Sequence, residues 1–188
     1  MILIAGSNGL IGSAIKRHLG ELSGGYDLPD KTPPKGFDYG AFIDCARYSN
    51  QADQIVTWHT AIKQLQRRGA GRMILFSSIY GHKAPDFSIY QYTEIPETPL
   101  EYAMSKAATE QATRFLAQKL KPYNIQVNCI CPGGVFNNHS DQFHANYVRA
   151  GQAPMIEPKN ILPVIDMLLH PDNVMTGQIL TIDGGWSL

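Results

Sequence analysis

Short apolar runs alternate with amphipathic stretches along most of this chain, and that alternation restricts the fold more than any single residue does. The opening MILIAG reads as a strand. Leu10, Ile11, Ile15, Leu19 and Leu22 then recur at helical spacing. Further strands are expected at 26–28, 41–46, 72–78, 125–131 and 177–183. Helices are expected at 51–68, where Ile55, Trp58, Ile62 and Leu65 form one stripe, and at 102–120 and 159–169. Strands separated by helices predict a doubly wound parallel sheet with helices on both faces, built as one α/β domain over 1–188. The segments 23–39, around the short strand, and 79–101 read as loops broken by Gly or Pro, and His139 to His144 read as part of a polar loop.

Composition narrows the partners. Sixteen Lys plus Arg balance sixteen Asp plus Glu, so the chain has no surplus positive field to attract nucleic acid or an anionic membrane. No apolar run approaches the roughly 20 residues that span a bilayer. Met1 leads straight into Ile2-Leu3-Ile4-Ala5 without a basic preceding region, and a cytoplasmic protein acting on small molecules is expected. Three cysteines, with Cys129 and Cys131 on one face of a strand, suit reduced thiols rather than a disulfide framework.

Three features carry chemistry. Gly6, Gly9 and Gly12 stand three apart directly after the first strand, where a backbone free of side chains can approach a pyrophosphate at a helix N-terminus. Tyr102 and Lys106 are four apart on a helix, which sets phenol and ammonium on one face; a nearby cation favours the phenolate and eases proton exchange. Ser78 lies at the carboxyl end of a central strand, where open α/β sheets place their ligands. His139 and His144, beside Asp141, lack the spacing of a metal site and read as loop or lid residues; no metal is expected. Tyr80, Tyr90 and Tyr92 read as loop aromatics that line a pocket or pack the loop down.

The turn AGSNGLIG, the strand end Ser77-Ser78-Ile79-Tyr80-Gly81, the run Tyr102-Ala103-Met104-Ser105-Lys106, the strand end Cys131-Pro132-Gly133-Gly134 and the tail Asp183-Gly184-Gly185-Trp186 occur in order. Together they resemble the short-chain dehydrogenase/reductase family. The resemblance implies a Rossmann-like fold and hydride transfer between NAD, or NADP, and a hydroxyl or keto group. It implies Tyr102 as acid/base, Lys106 as the residue that tunes it and holds the nicotinamide ribose, and Ser78 as the hydroxyl on the reacting oxygen. Asn50 takes the fourth catalytic position or serves only as a helix N-cap. Cofactor contacts are implied at Gly6, Ser7, Asn8, Gly9, Leu10, Ile11, Gly12, Asp27, Cys45, Ala46, Tyr102, Lys106, Pro132, Gly133 and Val135.

The chain also departs from the pattern. The stretch from Leu28 to Ala41 is too short for the family's next helix and third strand, so that part of the sheet is expected to be truncated and the adenine end of a cofactor thinly covered. Asp44-Cys45-Ala46-Arg47 replaces the usual Asn-Asn-Ala-Gly. Asp27 stands where an acidic residue bonds the adenosine ribose, and residues 7 to 10 hold no Arg or Lys for a 2′-phosphate; this favours NAD, with Lys31 and Lys35 keeping NADP open. SSIYG, APDFSIY, PLEYAMSK and PGGVFNN resemble a subfamily of flagellin modification and surface-glycan synthesis, which implies a sugar or sugar-nucleotide substrate. An epimerase or dehydratase using the same Tyr and Lys, or a non-catalytic binding or regulatory subunit, are the alternatives. A homodimer or homotetramer is expected through helices 51–68 and 102–120, with Ala103, Ala107, Ala108, Ala112 and Phe115 as a close-approach stripe and the apolar tail GGWSL as a second contact.

Overall fold

The computed structural model describes residues 1–26, 39–48 and 51–188. Strand β1 (Ile2–Ala5) leads into helix α1 (Leu10–Leu19) and strand β2 (Ser23–Tyr26). After β3 (Ala41–Asp44) come α2 (Gln51–Arg68), β4 (Gly71–Phe76) and α3 (Leu100–Leu120). The chain continues through β5 (Ile125–Pro132), α4 (Asp141–Gly151), α5 (Leu162–Leu169) and β6 (Ile179–Ile182). The six strands form one sheet in the order β2-β1-β3-β4-β5-β6, every neighbouring pair parallel. The order reverses between β1 and β3, which opens a crevice at the carboxyl ends of those strands. β2 is the last strand on its side of the sheet among the described residues, and most of the stretch in which the sequence predicts a truncation, 28–41, lies outside them.

Alternation along the buried strands sorts the core into two layers. Leu3, Phe42, Met73, Leu75, Val127 and Cys129 face α2 and α3, where they meet Trp58, Ala61, Leu65, Ala117 and Leu120. Ile4, Ile43, Ile74, Phe76 and Ile130 face the other way, onto Ile15 of α1 and Ile165 and Leu168 of α5. A third cluster, around Phe143, Tyr147 and Trp186, holds the loops after β4 and β5. Asn128 inside β5 bridges to the chain ahead of β6: its amide donates to Met175 O (2.8 Å) and its carbonyl accepts from Gln178 N (3.1 Å).

Several expectations need correction. Leu10 and Leu22, expected on the inner stripe of the first helix, are exposed: Leu10 opens α1 beside the crevice, Leu22 falls beyond its end at Leu19, and of the stripe only Ile11, Ile15 and Leu19 reach the core. The short strand runs over Ser23–Tyr26 and so begins before the expected 26–28, of which residues 27 and 28 lie outside the described residues. Residues 141–151, of which 141–144 read as loop, form α4, started by Ser140 Oγ accepting from Phe143 N (3.3 Å). In the tail, Trp186 is 3% exposed and packed inside the third cluster, so of its two large apolar residues only Leu188 is free to meet a partner. All three cysteines are free, and among the described residues no helix is long and apolar enough to cross a membrane.

The tail turn gives a pH-dependent prediction. The Asp183 carboxylate accepts from Gly185 N (2.9 Å) and Ser187 N (2.7 Å). Burial opposes its ionisation, but these bonds outweigh burial and hold its pKa below the ordinary value. A depressed folded-state pKa adds stability above the unfolded value, lost as the pH falls through the folded one. Asp183→Ala should therefore cost about 1–3 kcal/mol near neutrality. The gap from the parent should narrow in acid, as urea melts at both pH values will show.

Candidate active site

The crevice begins where two backbone turns meet. Gly6 has φ of +73°, and a Cβ there would lie 2.7 Å from Ala46 Cα, so the turn after β1 seats directly on the turn after β3. A Cβ on Gly12 would come closer still to the Gly6 carbonyl oxygen, so that position also needs glycine. α1 starts at Gly9 with no side-chain cap, leaving its first-turn N–H groups without that partner. The rewritten turn after β3 is held by Asp44, a buried residue the sequence reading did not assign to the site. Its carboxylate accepts from Trp58 Nε1 (2.6 Å), Tyr48 Oη (3.0 Å) and Ala46 N (3.1 Å). Burial pushes the Asp44 pKa up, against these bonds and the Lys106 charge. Cys45 is pushed well up by burial and by Asp44.

Ser78, Tyr102 and Lys106 come together in one cleft of about 1050 Å³ at the carboxyl end of the sheet. Ser78 caps the single 3₁₀ turn Ile79–Gly81 after β4, its hydroxyl accepting from Tyr80 N (3.3 Å). Lys106 Nζ donates to Phe76 O (3.0 Å) and lies 5.5 Å from the centre of the Tyr102 ring. The i, i+4 spacing on α3 thus delivers cation and phenol to the same spot.

Strand alternation gives the adjacent serine another task. Ser77 Oγ turns toward α3, where it makes 3.0 Å contacts with Lys106 O and with Glu110 Oε1. Glu110 is 5% exposed, and its Oε1 also meets His82 Nδ1 at 3.0 Å and Cys131 Sγ at 3.8 Å. Burial, reinforced by Glu110, pushes the Cys131 thiol up to about 12.

Of the residues implied as cofactor contacts, Leu10, Ile11, Cys45, Ala46, Pro132, Gly133 and Val135 line the same cleft. Gly6, Ser7, Asn8, Gly9 and Gly12 are not among its lining residues; Ser7 is buried with its side chain against Gly25. Asp27, Lys31, Lys35 and Asn50 lie outside the described residues. Tyr80 and Tyr90 line the cleft and pack toward the third cluster, whereas Tyr92 is 94% exposed. His139 precedes α4 and lines the cleft; burial and His144 lower its pKa. The lining also includes Gln51, Gln54, Glu97 and Thr98, which no motif singles out, and Glu101 of the stretch PLEYAMSK.

A family model described as enoyl-(acyl carrier protein) reductase matches residues 54–187, more than half of the chain. The chain belongs to the short-chain dehydrogenase/reductase family. This short-chain dehydrogenase/reductase is 32% identical to post-translational flagellin modification protein A of Campylobacter coli, over 68% of this chain and 50% of that protein. It is 28% identical to D-xylose 1-dehydrogenase of Caulobacter vibrioides, over 78% of this chain and 58% of the relative. The chain thus spans about half the length of the curated relatives it matches. Among solved structures it resembles a short chain dehydrogenase from Leptospira borgpetersenii with bound NAD+, with a TM-score of 0.82 and 25% identity, covering 100% of this chain and 92% of that one. A gluconate 5-dehydrogenase from Burkholderia cenocepacia in complex with NADP and tartrate shares the fold at a TM-score of 0.78 and 15% identity, covering 99% of this chain and 94% of that one.

Proposed function

We propose that this chain is a cytoplasmic NAD(P)-dependent oxidoreductase that moves a hydride to or from a hydroxyl or keto group on a sugar or sugar nucleotide. The observation that carries the reading is the convergence of Ser78, Tyr102 and the Phe76-anchored Lys106 in a cleft that runs on to the start of α1. That path fits a dinucleotide: the uncapped first turn of α1 accepts a pyrophosphate, Leu10, Ile11, Cys45 and Ala46 flank the middle, and Pro132, Gly133 and Val135 close the reacting end. When bound, the nicotinamide dinucleotide supplies or accepts the hydride. Ser78 donates a hydrogen bond to the substrate oxygen, and Tyr102 gives that oxygen its proton as negative charge builds. Lys106, held by its bond to the β4 end, sets a positive charge 5.5 Å from the centre of the Tyr102 ring, beside the reacting group. In the oxidising direction the same groups take the proton away.

The polar wall of Gln51, Gln54, Glu97, Thr98 and Glu101 suits a substrate with several hydroxyl groups, and the likeness to the flagellin modification protein and the D-xylose dehydrogenase supports the same class. Titration with NADH and NADPH, followed by nicotinamide fluorescence, should show saturable binding with NADH the tighter. No binding of either at millimolar concentration would overturn the enzyme reading and leave a binding or regulatory subunit.

We also infer a homo-oligomer built on α2 and α3, where Ile55, Val56, Met104 and Phe115 are each about half exposed or more. The small-residue stripe splits: Ala107 and Ala108 face outward, while Ala112 packs against the chain's own core. Light scattering should give a dimer or tetramer, and Phe115→Glu should shift it to the 20.8 kDa monomer. A monomeric parent would refute this assembly.

A further inference from the structure

His82, Glu110 and Cys131 each present one metal-ligating atom to a common point, all three within 4.8 Å of one another. We propose that these residues form a zinc site, separate from the Ser78–Tyr102–Lys106 group and independent of the reaction assigned to it.

Three separate elements build the cluster: the turn after β4 brings His82, α3 brings Glu110, and the end of β5 brings Cys131. Gly81 makes the approach possible, since a Cβ there would lie 2.6 Å from Glu110 Oε1 and 2.8 Å from Ser77 Oγ. The contacts are 3.0 Å for His82 Nδ1 to Glu110 Oε1, and 3.8 Å from Cys131 Sγ to each of those atoms. Zinc bonds of about 2.0–2.1 Å to nitrogen or oxygen and about 2.3 Å to sulfur imply tetrahedral edges of about 3.3–3.4 Å between nitrogen and oxygen and about 3.6 Å to sulfur, within a few tenths of an ångström of these distances.

The chemistry matches as well. Nitrogen, carboxylate oxygen and sulfur form a mixed donor set that zinc takes and that magnesium or calcium does not favour. Binding would release the Cys131 thiol proton to solvent, and thiolate plus carboxylate would then balance the two charges of the ion. That neutrality suits a place where Cys131 is fully buried and Glu110 nearly so. The His82 side chain is 38% exposed, giving an entry path and room for a water as fourth ligand. Ser77 Oγ, bonded to Glu110 and to Lys106 O, orients the carboxylate from behind. A zinc ion here would brace the turn that starts at Ser78.

Equilibrium dialysis of the full chain against Zn2+, with Co2+ as the spectroscopic probe, tests the site without reference to activity. One zinc per chain at micromolar free metal is expected, with a thiolate-to-cobalt charge-transfer band in the near ultraviolet. Cys131→Ser should abolish the band. His82→Ala, at an exposed position that leaves the core intact, should weaken zinc binding by at least about 10- to 100-fold, the loss seen even for supporting residues of metal sites. The proposal fails if the parent shows no band or no stoichiometric zinc, or if His82→Ala binds as tightly as the parent. Should Cys131→Ser not fold, the His82→Ala affinity decides alone.

Discussion

Replacing Tyr102 with Phe is expected to lower turnover by about 10²- to 10⁴-fold, the range for loss of a positioned acid/base, while NADH affinity stays close to that of the parent. The substitution keeps the ring whose centre lies 5.5 Å from Lys106 Nζ and removes only the hydroxyl. Lys106 should keep its bond to Phe76 O, so the end of β4 and the position of Ser78 are preserved. Lys106→Met should behave differently, because that ammonium both stands beside the phenol and ties α3 to the sheet; both turnover and cofactor affinity should fall. The measurement is kcat and KM on a sugar substrate, set beside the fluorescence titration. Parent-like turnover in the Phe variant would remove Tyr102 from the acid/base role.

The sheet was legible because its buried strands are unbroken apolar runs. Leu3 and Ile4, Phe42 and Ile43, or Ile74 and Leu75 can only be satisfied by cover on both faces, and the sequence offers only helices to provide it. α4 was not legible. Of its large apolar residues only Phe143 and Tyr147 are buried while Val148 is exposed, and it is held by loop partners: Asn146 donates to Ile89 O (3.1 Å) and Gln91 O (2.8 Å). Such a helix depends on a neighbouring segment of irregular chain that has no periodicity to read. The boundary of α1 was misplaced for a related reason, since Leu22 continues the apolar spacing but falls in the short 3₁₀ turn Gly20–Leu22, where the period is different.

Site residues divided along the same line. Ser78, Tyr102 and Lys106 stand at a strand end and on one helix face, and their meeting follows from topology. Asp44 appeared only as a departure from an expected turn, yet it anchors that turn through Trp58, Tyr48 and Ala46; the signal was an acidic residue closing an otherwise apolar strand. Glu110 gave a similar sign, a carboxylate on the inner face of α3 near the strand-end Ser77 and Cys131. In both cases the residue type announced a buried charge, and only the fold could supply its partners.

Trp186→Ala carries the largest expected effect on stability, a loss of about 3–5 kcal/mol, the usual range for removing a large buried aromatic ring. Trp186 stacks on Tyr147 with ring centres 4.9 Å apart, meets Tyr80 edge-on at 6.4 Å, and lies under Lys83 Nζ at 5.4 Å. Its indole N–H donates to Tyr147 O (2.9 Å), so the truncation leaves both a cavity and an orphaned carbonyl. The damage should not stay in the tail. Tyr147 Oη accepts from Gly134 N (2.7 Å), which couples the aromatic stack to the turn after β5 beside the cleft. Against a typical total stability of about 5–15 kcal/mol, a loss of this size approaches the whole margin, and the variant should bind NADH more weakly even where it stays folded. Trp186→Phe keeps much of the stack and loses the N–H bond, so it should cost only about 1–2 kcal/mol. Urea denaturation of both variants checks the order: if Trp186→Ala melted within error of the parent, Trp186 would not be the anchor of this cluster, and the link from tail to cleft would fall with it.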